Sequence, residues 1–402
     1  MNRIKKYALS ALYDMSSGIS TTKDQAGIGS PFVSFSTVFN NYFLPDELPD
    51  LMNTSEKEQE TYSIKQGDIL LTRTSETFDE LAMSCVALKD YTEATYSGFT
   101  KRLRPKREGI AYHKYLAFYL RGYLFRKAVT NNAFMTLRAS FNEDIFSFLY
   151  LYLPPYEEQV KIGDLLYRME QKIQLNKRII AELEAMAKTI YDYWFVQFDF
   201  PNATGKPYRS SGGKMVWNEK LKREIPKGWK PCLIDDLLDK TPNTKRIQSS
   251  DYLLEGSIPV IDQSTYLIAG YTDEASALIK TTNGAIVFGD HTRIVKFIGF
   301  DFARGADGTQ VLISNNTNNM PQLLFYYSIL KIDLSNYGYA RHFKFLKDSL
   351  IVLPDEEVAQ QFNEKVEPLH KMISHIIFQN LELTKLRDWL LPMLINGQVS
   401  VE

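Results

Sequence analysis

LPPYEEQVKIGDLLYRMEQKIQLNKRIIAELEAMAKTIYDYWFVQFDF, residues 153–200, is the stretch that decides the architecture. Leu166, Met169, Ile173, Asn176, Ile180, Leu183, Ala187, Ile190 and Trp194 recur in it at alternating steps of three and four. That spacing puts them on one stripe of a long helix, the seam by which helices pair. A short β-like apolar run and an acidic turn precede it, the turn suited to a helix N-terminus.

The same pattern returns 200 residues later without a gap: Leu153-Pro154 falls on Leu353-Pro354, Glu157 on Glu357, Ile173 on Ile373 and Glu182-Leu183 on Glu382-Leu383. The second seam is Val366, Leu369, Ile373, Ile376, Asn380, Leu383, Arg387, Leu390 and Leu394, with Pro368 expected near the start of its helix. One such stripe could rest equally well on a globular core, but two of equal length in one chain point to a pair. In an antiparallel register whose paired residue numbers sum to about 556, a spacing that follows from heptad geometry, Leu166 meets Leu390, Ile173 meets Leu383 and Ile180 meets Ile376. Asn176 then meets Asn380. A polar residue on a seam costs stability, yet opposite a polar partner it specifies register, so this layer is read as the alignment device. Met169 against Arg387 is the weakest layer.

Outward from the helices the repeat is looser. SPFVSF (30–35) parallels SIPVID (257–262), and GDILLTR (67–73) parallels GAIVFGD (284–290), each of the latter a Gly turn leading into a buried-strand-like run. KYLAFYLRGYLF (114–125) and QLLFYYSIL (322–330) both read as helices. The expected chain is α+β with a pseudo-two-fold internal repeat: a globular unit over 1–152, a long helix over 153–198, a Gly-, Pro- and Ser-rich linker over 199–229, a second globular unit over 230–352 and a second long helix over 353–402. The two helices are expected to form an antiparallel coiled coil, parallel association of two chains being the alternative.

Apolar residues make up 44% of the 402, enough for more than one core. No run of about 18 apolar residues occurs and MNRIKKY is not followed by a signal-like segment, so no membrane association and a cytoplasmic location are expected. Cys85 and Cys232 lie far apart and support neither a disulfide framework nor a zinc site. Catalytic patterns are missing: there is no phosphate loop, no GxGxxG after a strand, no HExxH and no GxSxG. LPPY (153–156) mimics the base-holding loop of amino-methyltransferases, but Leu153 stands where a polar residue would be needed. Glu170-Gln171-Lys172 imitates part of a nuclease site yet falls inside the helix, and His370 and His375 are spaced onto different helix faces, which suits solvent exposure better than metal binding. The chain is therefore not expected to be an enzyme, and no cofactor is expected in it.

Net charge is -1, but it is unevenly spread: Thr95–Ser140 holds ten basic residues against one acid, and Lys280–Lys347 eight against four. Interleaved with aromatics, such runs suit phosphate attraction, although a solvated face explains them equally well. Two heads on long helices without catalytic groups suit recognition of a divided target on duplex DNA. A helix of this length would be about 50 Å long, more than one DNA turn of about 34–36 Å.

The motifs carry a family resemblance. Residues 153–200, with GKPYRSSGGKMVWNEKLKREIPKGW after them, resemble the central conserved region of type I restriction–modification specificity subunits, and LTKLRDWLLPMLINGQV (383–399) resembles their distal one. GDILLTR, VFGDHTR with RGADGTQVL, and YARHFKFLKDSLIVLP resemble recurrent pieces of their target-recognition domains. The resemblance implies two such domains, each reading half of a bipartite site, with the helices as ruler. It implies two modification subunits that carry S-adenosylmethionine, and restriction subunits that cut. By position it places DNA contacts at Arg73, Thr74, Lys101, Arg102, Arg104 and Arg138 in the first head, and at His291, Thr292, Arg293, Arg304, Arg341 and His342 in the second. The rival readings are a coiled-coil scaffold that binds RNA or protein through its basic patches, and a self-sufficient methyltransferase or nuclease.

Overall fold

The computed structural model describes residues 4–75, 80–132, 139–306, 308–338 and 341–401. The chain divides into two compact units, Met1–Gln174 with Leu381–Glu402, and Leu175–Asn380. The first unit is discontinuous in sequence and the second continuous, and each takes part of both long helices.

Those helices span Tyr156–Tyr191 and Glu356–Ile395. The first therefore starts and stops about a turn earlier than the periodicity suggests, and Asp192–Val196 continues it as a π-turn. Glu157 and Glu158, and Glu356 and Glu357, fill the two first turns, where carboxylates complement unpaired N–H groups. Pro368 is not near the start of the second helix but well inside it. The acidic turn at residues 356–357 decides where that helix begins, and the proline costs it one internal hydrogen bond.

The antiparallel register is the expected one. In the second unit Asn176 Nδ2 donates to Asn380 Oδ1 at 2.8 Å and also to Gln379 Oε1 at 2.8 Å. The same register brings Trp194 to Phe362, with ring centroids 6.1 Å apart. Ala187 and Tyr191 join Phe362 and Val366 in that unit's core. In the first unit Leu166 and Leu394 are buried together, with Leu390 packed against them. Every seam position is buried or half-buried.

Arg387, the weakest layer by sequence, is satisfied by a neighbour of Met169. Its Nη1 donates to Glu170 Oε2 at 2.6 Å, its Nη2 lies 2.9 Å from Asp388, and its guanidinium stacks 4.9 Å from the centroid of Tyr42. The second unit solves the equivalent problem differently, since a shift of 200 places His370 where Glu170 stands. His370 is not solvent-exposed as expected: it is 8% exposed, 2.9 Å from the Tyr327 hydroxyl through Nε2 and edge-on to Phe297. Burial pushes its imidazole down to about 4, so it is neutral at ordinary pH. The globular part of the unit covers a helix face that seam analysis leaves to solvent.

The two globular parts share one topology. In the first unit the central strand Ile69–Thr72 lies between Thr100–Pro105 and Ser84–Val86, with Tyr13–Ser17 beyond, all antiparallel. In the second, Ala285–Gly289 lies between Thr309–Leu312 and Val295–Ile298. A second sheet repeats as well: Ala26–Val33 pairs antiparallel with Asp50–Met52 and parallel with Thr95–Tyr96, as Ile258–Ile261 does with Gly270–Thr272 and Phe302–Arg304. A short ladder leads into each long helix, Lys5–Ala8 with Tyr150–Leu153 and Lys230–Leu233 with Leu350–Leu353.

Each head is fastened to the helix that follows it. Gln159 accepts from Tyr112 N–H at 2.9 Å and donates to Ile110 O at 3.0 Å, while a Cβ on Gly163 would fall 2.7 Å from the Tyr115 nitrogen, so only glycine permits this approach. Gln360 donates to the carbonyls of Thr317 and Asn318 at 2.8 and 2.7 Å. The stretch 199–229 is more ordered than its linker-like composition suggests. Met215–Asn218 and Arg223–Pro226 form a hairpin, and Phe200 stacks on Trp229 at 5.0 Å within the second unit's core. Among the described residues no helix is long and apolar enough to cross a membrane, and both cysteines are free.

Cysteines placed at 180 and 376 should cross-link efficiently, and Asn380→Leu should lower that yield while allowing cross-links one heptad away. An unchanged pattern in disulfide trapping would remove the Asn layer as the register device. Arg387→Leu leaves the buried Glu170 without its cation, with only Gln174 still donating to it, and should cost about 3–5 kcal/mol in urea unfolding. Replacing both residues by leucine should recover most of that loss.

Candidate nucleic-acid interface

The surface in question is built at one end of the central sheet of each head. The strand Ile69–Thr72 is wholly buried, and the chain leaves it at Arg73. Arg73 is held on both sides: its N–H donates to Phe99 O at 2.8 Å, and its carbonyl accepts from Phe141 N–H at 2.7 Å. Its Nη1 donates to Gly98 O at 3.3 Å, and Thr74 pairs with Ser140 in a two-residue ladder. In the second head Asp290 takes the place of Arg73. Asp290 N–H donates to Gly308 O at 2.7 Å, and its carbonyl accepts from His342 N–H at 3.0 Å. Ser97 N–H to Val33 O (3.0 Å) matches Gly305 N–H to Ile261 O (2.9 Å), and Gly98 to Ile19 matches Ala306 to Ile247, both 2.7 Å. Counted from the central strand, Phe99 and Gly308 occupy equivalent positions, each carbonyl accepting from the residue that follows that strand, while the second head has one residue more between Ala306 and Gly308 than the first has between Gly98 and Phe99.

Several side chains singled out from the sequence are used internally. Arg104 forms a two-pronged pair with the fully buried Asp68, Nε to Oδ1 at 2.8 Å and Nη2 to Oδ2 at 2.6 Å, and this hydrogen bonding raises its pKa. Arg102, 8% exposed, donates to Ser63 O and lies 5.4 Å from the centroid of Tyr96. Lys101 is equally buried and donates to Ser17 Oγ at 2.9 Å; burial, with the charge of Arg73 second, lowers its ammonium pKa. Arg304 is buried and its pKa is lowered chiefly by burial, then by Arg246. His342 is buried with Nδ1 2.9 Å from Asp290 O and Nε2 2.9 Å from Tyr337 O. Arg104, Arg102, Lys101 and His342 thus hold the loops in place, and Arg304 is buried as deeply as Arg102 and Lys101. Arg138 lies outside the described residues.

Two further cations of the basic run in the first head, Arg121 and Lys114, are also engaged. Arg121 donates through Nε to Ser84 O and through Nη2 to the carbonyls of Val38, Phe39 and Asn41, and Lys114 pairs with Asp164 at 3.0 Å. The described cations of residues 95–140 are therefore not one open basic patch. Strands that cross the interior place cations beside carbonyls and carboxylates that local sequence does not reveal.

Arg73 and Thr74 remain half-buried at the reading end of the first head, and His291, Thr292, Arg293 and Arg341 are exposed in the second. Arg293 has φ +60° and reaches Leu334 O at 3.3 Å. Thr292 Oγ1 donates to Gln263 O at 2.8 Å, and His291 N–H donates to Gln263 Oε1 at 3.1 Å. Gln263 thus joins the loop after Ile258–Ile261 to the loop after Ala285–Gly289. Neither Gln263 nor Phe99, which is 61% exposed, stands out from the sequence, because their importance lies in strand pairing across long separations.

Residues 15–185 match the family described as type I restriction modification DNA specificity domain. The chain is 26% identical over 273 residues to the type I restriction enzyme MjaIX specificity subunit of Methanocaldococcus jannaschii. That match covers 62% of this chain and 60% of the relative, so the chain spans less than two thirds of it. The solved S subunit of a type I restriction-modification system from M. genitalium shares the fold, with a TM-score of 0.61, 14% identity and coverage of 98% of this chain and 96% of that one. The resemblance read from the motifs is borne out by the match over residues 15–185.

Arg104→Met strands the Asp68 carboxylate in the core and should lower stability by about 3 kcal/mol in thermal or urea unfolding. Arg341→Gln should leave unfolding unchanged and lower duplex affinity in a salt-titrated binding assay. The reverse ranking would mean that the internal and exposed cations have been wrongly separated.

Proposed function

We propose that this chain is the sequence-reading, non-catalytic subunit of a type I restriction–modification complex. The observation that carries the proposal is the duplication itself: one head topology, ending in one kind of reading surface and leading into one kind of long helix, occurs twice. A duplicated reader fits a target in two parts, each half read by one head, with the helix pair acting as the ruler and as the platform for two modification subunits. Those subunits supply S-adenosylmethionine and the methyl-transfer chemistry; restriction subunits supply cleavage. A chromosomal target places the complex in the cytoplasm. The scaffold alternative finds no support in the family match or the relatives.

Within this reading the sites divide by role. Arg73, Thr74, His291, Thr292, Arg293 and Arg341 face DNA. Lys101, Arg102, Arg104, Arg304 and His342 shape the loops that carry the first group. Phosphate contacts would supply salt-dependent, sequence-independent affinity, and contacts to base edges would supply selectivity.

Replacing residues 230–352 by the equivalent segment of another such chain, in cells that also make the modification subunits, should change one half of the methylated sequence and spare the other. Sequencing that reads methylated adenines directly is the measurement. If both halves change, the heads do not read independently; if the unaltered chain directs no methylation at all, the proposed function fails.

A further inference from the structure

The bonds from Arg73 N–H to Phe99 O and from Asp290 N–H to Gly308 O set Phe99 and Gly308 against the same point at the end of the central strand, yet they present opposite chemistry. In the first head the position carries a phenyl ring that is 61% exposed, although Ser97 and Thr100 beside it are buried. Its backbone is pinned, because Phe99 N–H donates to Ser97 Oγ at 3.2 Å and Phe99 O accepts from Arg73 N–H at 2.8 Å. The ring is therefore displayed from a rigid support.

In the second head the position is glycine at φ +72°, and a Cβ there would fall 2.7 Å from Gln263 Nε2 and 2.7 Å from His291 Cδ2. The space that a side chain would occupy is filled by two polar ones from neighbouring loops. Gly289 makes room for the same residue, since its Cβ would fall 2.8 Å from Gln263 Cβ and 2.2 Å from Thr292 Oγ1. The loop carrying Gln263 is itself fastened, with Lys296 Nζ donating to Asp262 O at 2.8 Å and to Tyr266 O.

We infer that Phe99 and the pair Gln263–His291 are the matching specificity-determining elements of the two heads, the first reading a base edge by apolar contact and the second by hydrogen bonding. The inference rests on the proposed function and adds which residues choose the bases. A phenyl ring in the major groove matches the methyl group of thymine, which only A·T pairs present. A glutamine amide matches adenine, whose N6 donates and N7 accepts. A head that reads by a ring and a head that reads by an amide, on one backbone, would prefer different half-sites.

The test maps methylated sequences in cells that express the full chain with its modification subunits, using the unaltered protein, Phe99→Ala, Phe99→Leu and Gln263→Ala, with melting of each purified chain measured alongside. Phe99→Ala should weaken discrimination about tenfold at one base pair of one half-site. Gln263→Ala should do the same at one base pair of the other half-site, and Phe99→Leu should retain the original preference. If Phe99→Ala abolishes methylation without changing melting and Phe99→Leu restores the original sequence, the assignment also stands. An unchanged methylated sequence in Phe99→Ala, both variants altering the same half-site, or a loss in Phe99→Ala accompanied by lowered melting that Phe99→Leu does not repair would overturn it. Absence of a two-part methylated sequence with the unaltered chain would instead overturn the function on which it rests.

Discussion

The amide-to-amide contact between Asn176 and Asn380 is the constraint on which the rest of the molecule depends. A hydrocarbon seam alone slides by a heptad at modest cost, because one aliphatic layer resembles the next. A buried amide does not: a slip of one heptad in either direction sets Asn380 against Leu183 or Met169, which cannot answer it, leaving polar groups unsatisfied at about 1–3 kcal/mol apiece. Since each compact unit takes half of each long helix, the register settles more than helix pairing. It brings Leu394 to the core of the first unit and Ala187, Tyr191 and Trp194 to the core of the second. Neither head completes its core from its own stretch of sequence.

With the backbone repeated, the side chains are free to differ. The first unit closes the gap between head and helices with a buried ion pair, Glu170 to Arg387, capped by the ring of Tyr42. The second closes it with a neutral imidazole, His370, against Tyr327 and Phe297. A buried pair holds only while both partners are present, whereas the neutral cluster depends on packing and one hydrogen bond. The candidate reading ends follow the same rule: corresponding hydrogen bonds carry a phenyl ring in one head and a polar pair in the other.

The basic residues show how far charge can mislead when it is read along a chain. Arg102, Arg104 and Lys101 stand close together in a strand, and in sequence they look like a phosphate-binding strip. All three point into carbonyls, hydroxyls or a carboxylate supplied from far away, and the guanidinium of Arg121 gathers carbonyls around residues 38–41 and Ser84. Internal cations of this kind shape the loops, and those loops then display the few groups left at the surface.

The sequence by itself determined the two long helices, their antiparallel register, the duplication and the order of head and helix, because each of these is written in periodic spacing or in self-similarity that needs no knowledge of distant contacts. It also carried the family resemblance through motifs that lie mostly on those helices. Tertiary structure alone decided that His370 is buried, that residues 199–229 pack into the second unit's core, which cations are consumed inside the heads, and that Phe99 and Gln263 stand at the candidate reading ends. The physical reason is common to these: the partner that settles each side chain comes from a strand or loop that local propensity holds no record of.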